Sequence, residues 1–132
     1  MIEKIEKNEY DKIQFLGQYI KENFSKENIG EHELIYIYKL NEEILGFIQI
    51  QVLYETMDII NISVAQEYRR KKIGQSLLNY VINLHQPERI MLEVRESNEA
   101  LKFYQNNEFK EIRRIKNYYG NEDGIVMERR TM

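Results

Sequence analysis

Cysteine is absent from the 132-residue chain, and histidine occurs only as His32 and His85. Without cysteine the chain has no disulfide framework, no thiolate metal site and no cysteine nucleophile. The two histidines are far apart and lack the spacing of zinc ligands, so we expect no metal. The rest of the composition, 42% hydrophobic and 31% charged residues, is that of an ordinary folded domain with a packed core.

Long apolar runs are also lacking. No stretch reaches the roughly 18 residues needed to cross a bilayer. Residues 1–10 are charged and have no apolar stretch of the kind found in a signal peptide. The formal net charge of −3 is the opposite of the basic footprint of a general nucleic-acid binder. We therefore expect a cytoplasmic protein with neither a membrane nor a nucleic acid as partner.

Hydrophobic periodicity predicts the order helix, three strands, helix, strand, helix and two strands. The first helix is expected over 9–24 with Asn8 as its cap, and the second ends before Pro87. Their buried faces are predicted to be Ile13, Leu16, Ile20 and Phe24 in the first helix, and Ile73, Leu77, Val81 and Leu84 in the second.

The strands are predicted over 34–40, 44–54, 58–64 and 90–95, with a turn at 55–57 and a final hairpin of 109–118 and 125–129. In 90–95, alternate residues point to opposite faces, so Ile90, Leu92 and Val94 face one way and Glu93 the other. The third helix is expected to be capped by Ser97 or Asn98 and to run to about Asn106, with Ala100 and Phe103 facing inward.

The succession strand, helix, strand over 58–95 predicts a parallel pair joined by a right-handed crossover. The flanking hairpins predict antiparallel neighbours. The fold class is therefore α/β (α+β), with a mixed, mostly antiparallel central sheet and helices on both faces. The length fits a single domain over 1–132.

A basic turn links the strand 58–64 to the second helix and contains Arg69, Arg70, Lys71 and Lys72, followed by Gly74. Unpaired amides and the dipole at a helix start bind phosphate oxygens, and basic side chains add charge-assisted bonds. Four cations at a helix start are otherwise unfavourable, because the macrodipole is positive there. A solvated basic loop that merely begins a helix is the alternative reading.

This turn resembles the acetyl-CoA pyrophosphate loop of the GCN5-related N-acetyltransferases (GNAT), whose signature is Arg/Gln-x-x-Gly-x-Gly/Ala. Arg69 matches the first position and Gly74 the last, whereas Lys72 stands where the family usually has glycine. A lysine held at positive φ costs about 1–2 kcal/mol. Its ammonium would offset part of that strain by meeting a phosphate.

Other segments resemble one branch of that family, the ribosomal-protein alanine N-acetyltransferases of the RimI type. The similarity covers most of the chain from about Gly46 onward. It is carried by Asn-Ile-Ser-Val at 61–64, Leu-Glu-Val-Arg-Glu-Ser-Asn at 92–98, the helix 100–104 with Phe109, and the closing hairpin segments 114–119 and 123–127. Between Arg95 and Tyr104 the chain is one residue shorter than the usual pattern.

The resemblance implies that the parallel strands splay apart and open a cleft for acetyl-CoA. It implies a general base at Glu93 and a general acid at Tyr104. By residue type alone, Glu93 is more often an exposed strand glutamate and Tyr104 more often a packed core tyrosine. The residues implied to contact the cofactor are Ile62, Ser63, Val64, Arg69, Arg70, Lys71, Lys72, Ile73, Gly74, Gln75 and Asn98.

The implied reaction transfers acetyl from acetyl-CoA to a primary amine, with the N-terminal α-amine of a protein such as ribosomal protein S18 as the best match. An α-amine titrates near ~8 and lysine near ~10.4, so the former is easier to deprotonate. Tyr118 and Tyr119 either wall a groove for a peptide N-terminus or are ordinary strand aromatics.

Three alternatives remain open. The first is a GNAT acetyltransferase of a small amine or amino acid. The second is a non-catalytic acyl-CoA-binding or partner-binding module, motivated by Lys72 and the short spacing before Tyr104. The third is a fold without a CoA site, in which the basic turn is inert. The sequence leaves both a monomer and a homodimer open.

Overall fold

The computed structural model describes residues 1–13 and 33–131. Within these residues the chain forms seven strands and three α-helices. The strands are β1 (Ile2–Lys4), β2 (Glu33–Leu40), β3 (Glu43–Leu53), β4 (Thr56–Val64), β5 (Arg89–Arg95), β6 (Lys110–Ile115) and β7 (Gly124–Arg130), and the helices are α1 (Tyr10–Ile13), α2 (Ile73–His85) and α3 (Ala100–Asn106). None of the helices in this part of the chain has the length and apolar character required to cross a membrane.

The first predicted helix is described only at its start. A 3₁₀ turn over Lys7–Glu9 leads into α1, which the structure follows to Ile13. The rest of the predicted helix, with Leu16, Ile20 and Phe24, lies outside the described residues, as does the start of the connection that follows it. Ile13 is fully buried, as the periodicity predicts.

The strands form one sheet in the order β1-β2-β3-β4-β5-β7-β6. Every neighbouring pair is antiparallel except β4 and β5, which are parallel and are connected through α2. This arrangement confirms the predicted mixed, mostly antiparallel sheet with one parallel pair.

Both faces of the sheet carry a core. On one face, Leu77, Leu78 and Val81 of α2 and Tyr104 of α3 join the inward-facing residues of the central strands in a large buried cluster. On the other face, Ile13 of α1 packs with a smaller buried cluster formed by Ile5, Ile35, Ile37 and Phe47. The predicted helices on both faces are therefore confirmed.

Three local predictions were wrong. Leu84 does not belong to the buried face of α2, because it is 53% exposed, and Leu78 is buried instead. The turn before β4 is shorter than predicted, since pairing with β3 resumes at Thr56. β6 ends at Ile115, so Tyr118 belongs to the following turn and not to the strand.

β4 and β5 remain paired over only part of their length. Their parallel ladder runs from Thr56 opposite Arg89 to Ile59 opposite Leu92 and then ends, although both strands continue. At this point β4 has one extra residue, Ile60, relative to β3, because Gln49 pairs with Asn61 and Ile50 pairs with Ile59. A β-bulge bends its strand. The bulge therefore accounts for the splay of β4 away from β5.

A partly buried polar contact joins α2 to the sheet. The Tyr36 hydroxyl lies 3.1 Å from Nε2 of His85, and the Tyr80 ring packs against Tyr36 at 5.5 Å between centroids. Burial lowers the pKa of His85 from its ordinary value near 6.5, because the surroundings disfavour the charged ring. Neutral His85 is therefore the form that the fold accommodates.

This contact predicts a pH dependence of stability. Above about pH 7, His85 is neutral in both the folded and the unfolded chain. As the pH falls through the ordinary histidine value, the unfolded chain takes up the proton first, so the free energy of unfolding decreases. Urea denaturation should show a larger loss of stability between about pH 7 and 5 for the wild type than for His85→Gln. Parallel pH profiles for the two proteins would contradict this assignment.

Candidate functional site

The splay between β4 and β5 opens one edge of β4. The segment Ile62, Ser63 and Val64 lies beyond the last pair with β5 but still pairs with β3 on its other edge. At Gly46, an added Cβ would lie 2.8 Å from the carbonyl oxygen of Ser63, so only glycine permits this approach of β3 to the end of β4. The backbone of β4 is thus firmly held on one side and open toward β5 on the other.

The basic turn follows β4 and contains two left-handed residues. After a 3₁₀ turn over Gln66–Tyr68, Arg70 and Lys72 have φ values of 66° and 64°. Lys72 directly precedes α2 and is its N-cap. Backbone of alternating handedness directs successive N–H groups toward one concavity, which is a common anion-binding arrangement. The positive φ considered for Lys72 on sequence grounds is therefore present.

The four basic side chains are not equivalent. Arg69 donates from Nε to the carbonyl of Val64 at 3.2 Å, and its Nη1 lies 3.3 Å from Oε1 of Glu99. Lys71 places its ammonium 5.6 Å from the centre of the Tyr68 ring. Arg70 and Lys72 are exposed, and no described carboxylate pairs with either. An anionic ligand could therefore bind Arg70 and Lys72 without breaking an ion pair within the described residues.

The first turn of α2 offers a ligand mainly backbone amides and few side chains. Ile73 is buried in the core, so only its amide can face a ligand. At Gly74 an added Cβ would lie 3.6 Å from the Phe103 ring, which is ordinary contact, so the interior has room for an alanine at this position. Gln75 bonds Asn79 one turn later at 3.1 Å. The carbonyl of Lys72 accepts bonds from both N–H and hydroxyl of Ser76.

Glu93 lies on the opposite face of the sheet from α2, because its neighbours Leu92 and Val94 point into the large core. It is the first residue of β5 after the last pair with β4, and its side chain is exposed. Oε1 of Glu93 accepts a hydrogen bond of 2.8 Å from the Tyr119 hydroxyl. The face predicted for Glu93 from strand alternation is confirmed.

Tyr104 lies on α3, and 3% of its surface is exposed. Its ring packs edge-on against Phe103 and Phe109, each 5.5 Å away between centroids. Its hydroxyl has no hydrogen-bond partner among the described residues, yet none of their side-chain oxygens is both sealed from solvent and unbonded. The hydroxyl oxygen therefore keeps a small contact with solvent. Burial raises the pKa of Tyr104 well above 10, so the phenol stays protonated.

Asn98 has a structural partner. Its Oδ1 accepts a hydrogen bond of 2.8 Å from the amide of Ala100, which satisfies one free N–H at the start of α3. The predicted capping by Asn98 is thus present, and its side-chain oxygen is committed to the helix. Ser97 instead donates its amide to Glu122 at 2.8 Å.

The turn over 116–123, which we name the β6–β7 turn, is fixed to the end of β5. The Arg95 guanidinium lies 4.4 Å from the centre of the Tyr119 ring and 3.5 Å from Oε2 of Glu122. The amide of Glu96 donates to the carbonyl of Asp123 at 3.2 Å. The sequence predicted no contact between Glu93 and Tyr119. The sequence indicated only that the final hairpin returns to the neighbourhood of β5.

The predicted residues therefore form two groups on opposite faces of the sheet. Lys72, Gly74 and Tyr104 lie on the face covered by α2 and α3, and Glu93 with Tyr119 lies on the other. Beyond Ile59 and Leu92 the strands β4 and β5 are no longer paired, so the sheet is open next to Glu93. Within residues 1–13 and 33–131 no group of three histidine or acidic side chains is placed to hold a metal ion.

Comparison with known proteins identifies the family. Residues 31–111 match the description acetyltransferase (GNAT) domain. The [ribosomal protein bS18]-alanine N-acetyltransferase of Escherichia coli (strain K12) is 32% identical over 108 residues, which cover 76% of this chain and 73% of that one. The crystal structure of the E. coli ribosomal-protein-S18-alanine N-acetyltransferase superposes with a TM-score of 0.82 and 26% identity, covering 97% of this chain and 91% of that one.

Two further proteins extend the comparison. The N-alpha-acetyltransferase of Sulfurisphaera tokodaii is 28% identical over 123 residues, covering 79% of this chain and 74% of that protein. The fold is also that of an aminoglycoside 6'-N-acetyltransferase crystallised with coenzyme A, with a TM-score of 0.84 at 15% identity over 100% and 97% of the two chains. The chain belongs to the GNAT acetyltransferases and is an acetyl-CoA-dependent N-acetyltransferase.

Proposed function

We propose that this enzyme acetylates the N-terminal α-amine of a protein, with ribosomal protein S18 as the leading candidate, and that it acts in the cytoplasm as one domain over 1–132. One observation carries the catalytic part of this proposal. The β4–β5 ladder ends immediately before Glu93, whose carboxylate is exposed, and α3 carries the largely buried phenol of Tyr104 on the other face of the sheet. The curated relatives named above support the acceptor.

Acetyl-CoA would lie along the open edge of β4. Backbone groups of Ile62, Ser63 and Val64 no longer pair with β5 and are therefore suited to bind the pantetheine chain and to meet the developing oxyanion. The amides of the basic turn and of Ile73, Gly74 and Gln75 would bind the pyrophosphate at the start of α2. Arg70, Lys71 and Lys72 would add charge. Asn98 would contribute through the nitrogen of its amide, since its oxygen caps α3.

The acceptor amine would approach from the face that carries Glu93. A carboxylate there attracts the ammonium and takes one proton, directly or through a water, to give the neutral nucleophile. Glu93 passes that proton to solvent. The nitrogen then attacks the thioester carbonyl, the C–S bond breaks, and the Glu93 carboxylate takes the second proton from the nitrogen, directly or through the same water. Tyr104 donates to the sulfur as negative charge develops on it, so that CoA leaves as the thiol.

The acceptor face is polar across three strands. The Asn61 amide donates to Gln49 at 3.1 Å, and the Gln49 amide donates to Glu33 at 3.1 Å. Gln49 follows Ile48 and precedes Ile50, which point into the large core, so this row lies on the same face as Glu93. Gln49 is buried, so the half-buried Glu33 and Asn61 at the two ends of this row are the groups that would meet an extended peptide with a positively charged terminus.

The first prediction concerns the acceptor. With acetyl-CoA at saturation, a peptide that begins with the mature S18 N-terminus should release free CoA thiol, and the same peptide with a blocked N-terminus should not. A panel of small amines and free amino acids should react more slowly by at least about tenfold, because they lack the backbone that the polar row can bind. Faster reaction with a small amine would favour that alternative. Acetyl-CoA binding without thiol release from any acceptor would favour the non-catalytic module.

The second prediction tests the base. Glu93→Gln keeps the shape of the side chain and its bond to Tyr119 but removes the proton acceptor. We expect kcat to fall by about 10²–10⁴ with little change in acetyl-CoA affinity, measured by thiol release and by titration calorimetry. Full activity in this variant would rule out Glu93 as the base.

The third prediction tests the acid. Tyr104→Phe removes a hydroxyl that has no hydrogen-bond partner in the described chain, and it keeps the ring contacts with Phe103 and Phe109. We therefore expect thermal stability to stay within about 0.5 kcal/mol of the wild type while kcat falls by roughly 10–10³. An unchanged rate would leave Tyr104 with a packing role only.

A further inference from the structure

The Tyr119 hydroxyl is directed at the carboxylate of Glu93. The donor and acceptor oxygens are 2.8 Å apart although the two residues are 26 positions apart in the sequence. The bond engages Oε1 of Glu93, and among the described residues Oε2 has no partner. One carboxylate oxygen is thus fixed and the other is available to a proton donor. This division is what a base of defined orientation requires.

The Tyr119 ring is itself held in place. Arg95, two residues after Glu93 on the same side of β5, covers the ring at 4.4 Å and also lies 3.5 Å from Glu122. Glu122 in turn accepts the Ser97 amide at 2.8 Å, and the Tyr119 amide donates to the carbonyl of Glu122 at 3.0 Å. The hydroxyl is therefore placed by β5 on one side and by the β6–β7 turn on the other.

The Tyr119 hydroxyl remains a hydrogen-bond donor at neutral pH. Burial and the bond to Glu93 raise the pKa of Tyr119 to about 12, so the hydroxyl keeps its proton at neutral pH. A hydrogen bond from a neutral donor to a carboxylate is worth more than one between neutral groups. Loss of this bond would release a flexible glutamate side chain into solvent.

We propose that Tyr119 is a positioning residue, whose hydroxyl holds the Glu93 carboxylate in the orientation that accepts the proton of the acceptor amine. This inference rests on the proposed role of Glu93 as the base. It assigns Tyr119 a role exerted through Glu93, distinct from contact with the acceptor peptide. The Arg95 contact makes the position of the ring independent of whether an acceptor is bound.

A double-mutant cycle tests the inference. The four proteins are the wild type, Tyr119→Phe, Glu93→Gln and the double variant, with kcat and the KM for the acceptor peptide measured for each by thiol release. Tyr119→Phe keeps the ring and the Arg95 contact, so thermal unfolding should be unchanged. Tyr54→Phe is the matched control, because Tyr54 is 96% exposed in the turn between β3 and β4, and its activity should equal that of the wild type.

We expect Tyr119→Phe to lower kcat about tenfold with an unchanged acceptor KM in the wild-type background. In the Glu93→Gln background the same change should alter kcat by less than about twofold, because nothing is left to position. An equal tenfold loss in both backgrounds, or a loss confined to KM, would overturn the inference and leave Glu93 as the base. A Glu93→Gln protein with full activity would overturn the base and the inference together.

Discussion

The termination of the β4–β5 ladder after Ile59 and Leu92 is the constraint on which the site depends. Unpaired backbone groups are unfavourable in an interior, so an open ladder persists only where solvent or a ligand occupies the edge. Each strand is paired on its outer side, β4 with β3 as far as Val64 except at the bulged Ile60, and β5 with β7 as far as Arg95. The opening therefore follows from the pairing of the sheet, and it exposes the edge of β4 that we propose binds acetyl-CoA.

Strand alternation was enough to predict the face of Glu93, and the basic turn was enough to predict the start of α2. Leu84 was assigned to the wrong face because the polar His85 is the residue that completes the buried stripe, by its bond to Tyr36. Strict alternation could not predict the bulge at Ile60. The core-facing residues are the odd-numbered Met57 and Ile59 before it and the even-numbered Ile62 and Val64 after it. The Tyr119–Glu93 bond had no local signal, because it depends on how a distant turn folds back.

Lys72 shows how strain and charge are balanced in the cofactor loop. Its positive φ costs about 1–2 kcal/mol relative to glycine, and its charge lies at the unfavourable end of the helix dipole. Arg69 has its charge met by Glu99, so it contributes less to a bound phosphate than its place in the signature indicates. Lys72 and Arg70 then provide the unpaired positive charge of the loop. A bound diphosphate would pair with the Lys72 charge, and that favourable contact would offset the cost of the positive φ without removing it.

The β6–β7 turn contacts both the end of β5 and the Glu93 carboxylate. It is attached to β5 through Arg95, Glu96 and Ser97, and it carries the tyrosine that bonds the base. A residue of this turn that contacted an acceptor would therefore be linked through Tyr119 to the carboxylate that we propose as the base. A change of turn sequence that altered acceptor preference would also displace Glu93, and the effect would appear in kcat as well as in KM. Under the proposed mechanism, the geometry of Glu93 and any acceptor contacts of this turn would therefore depend on the same structural unit.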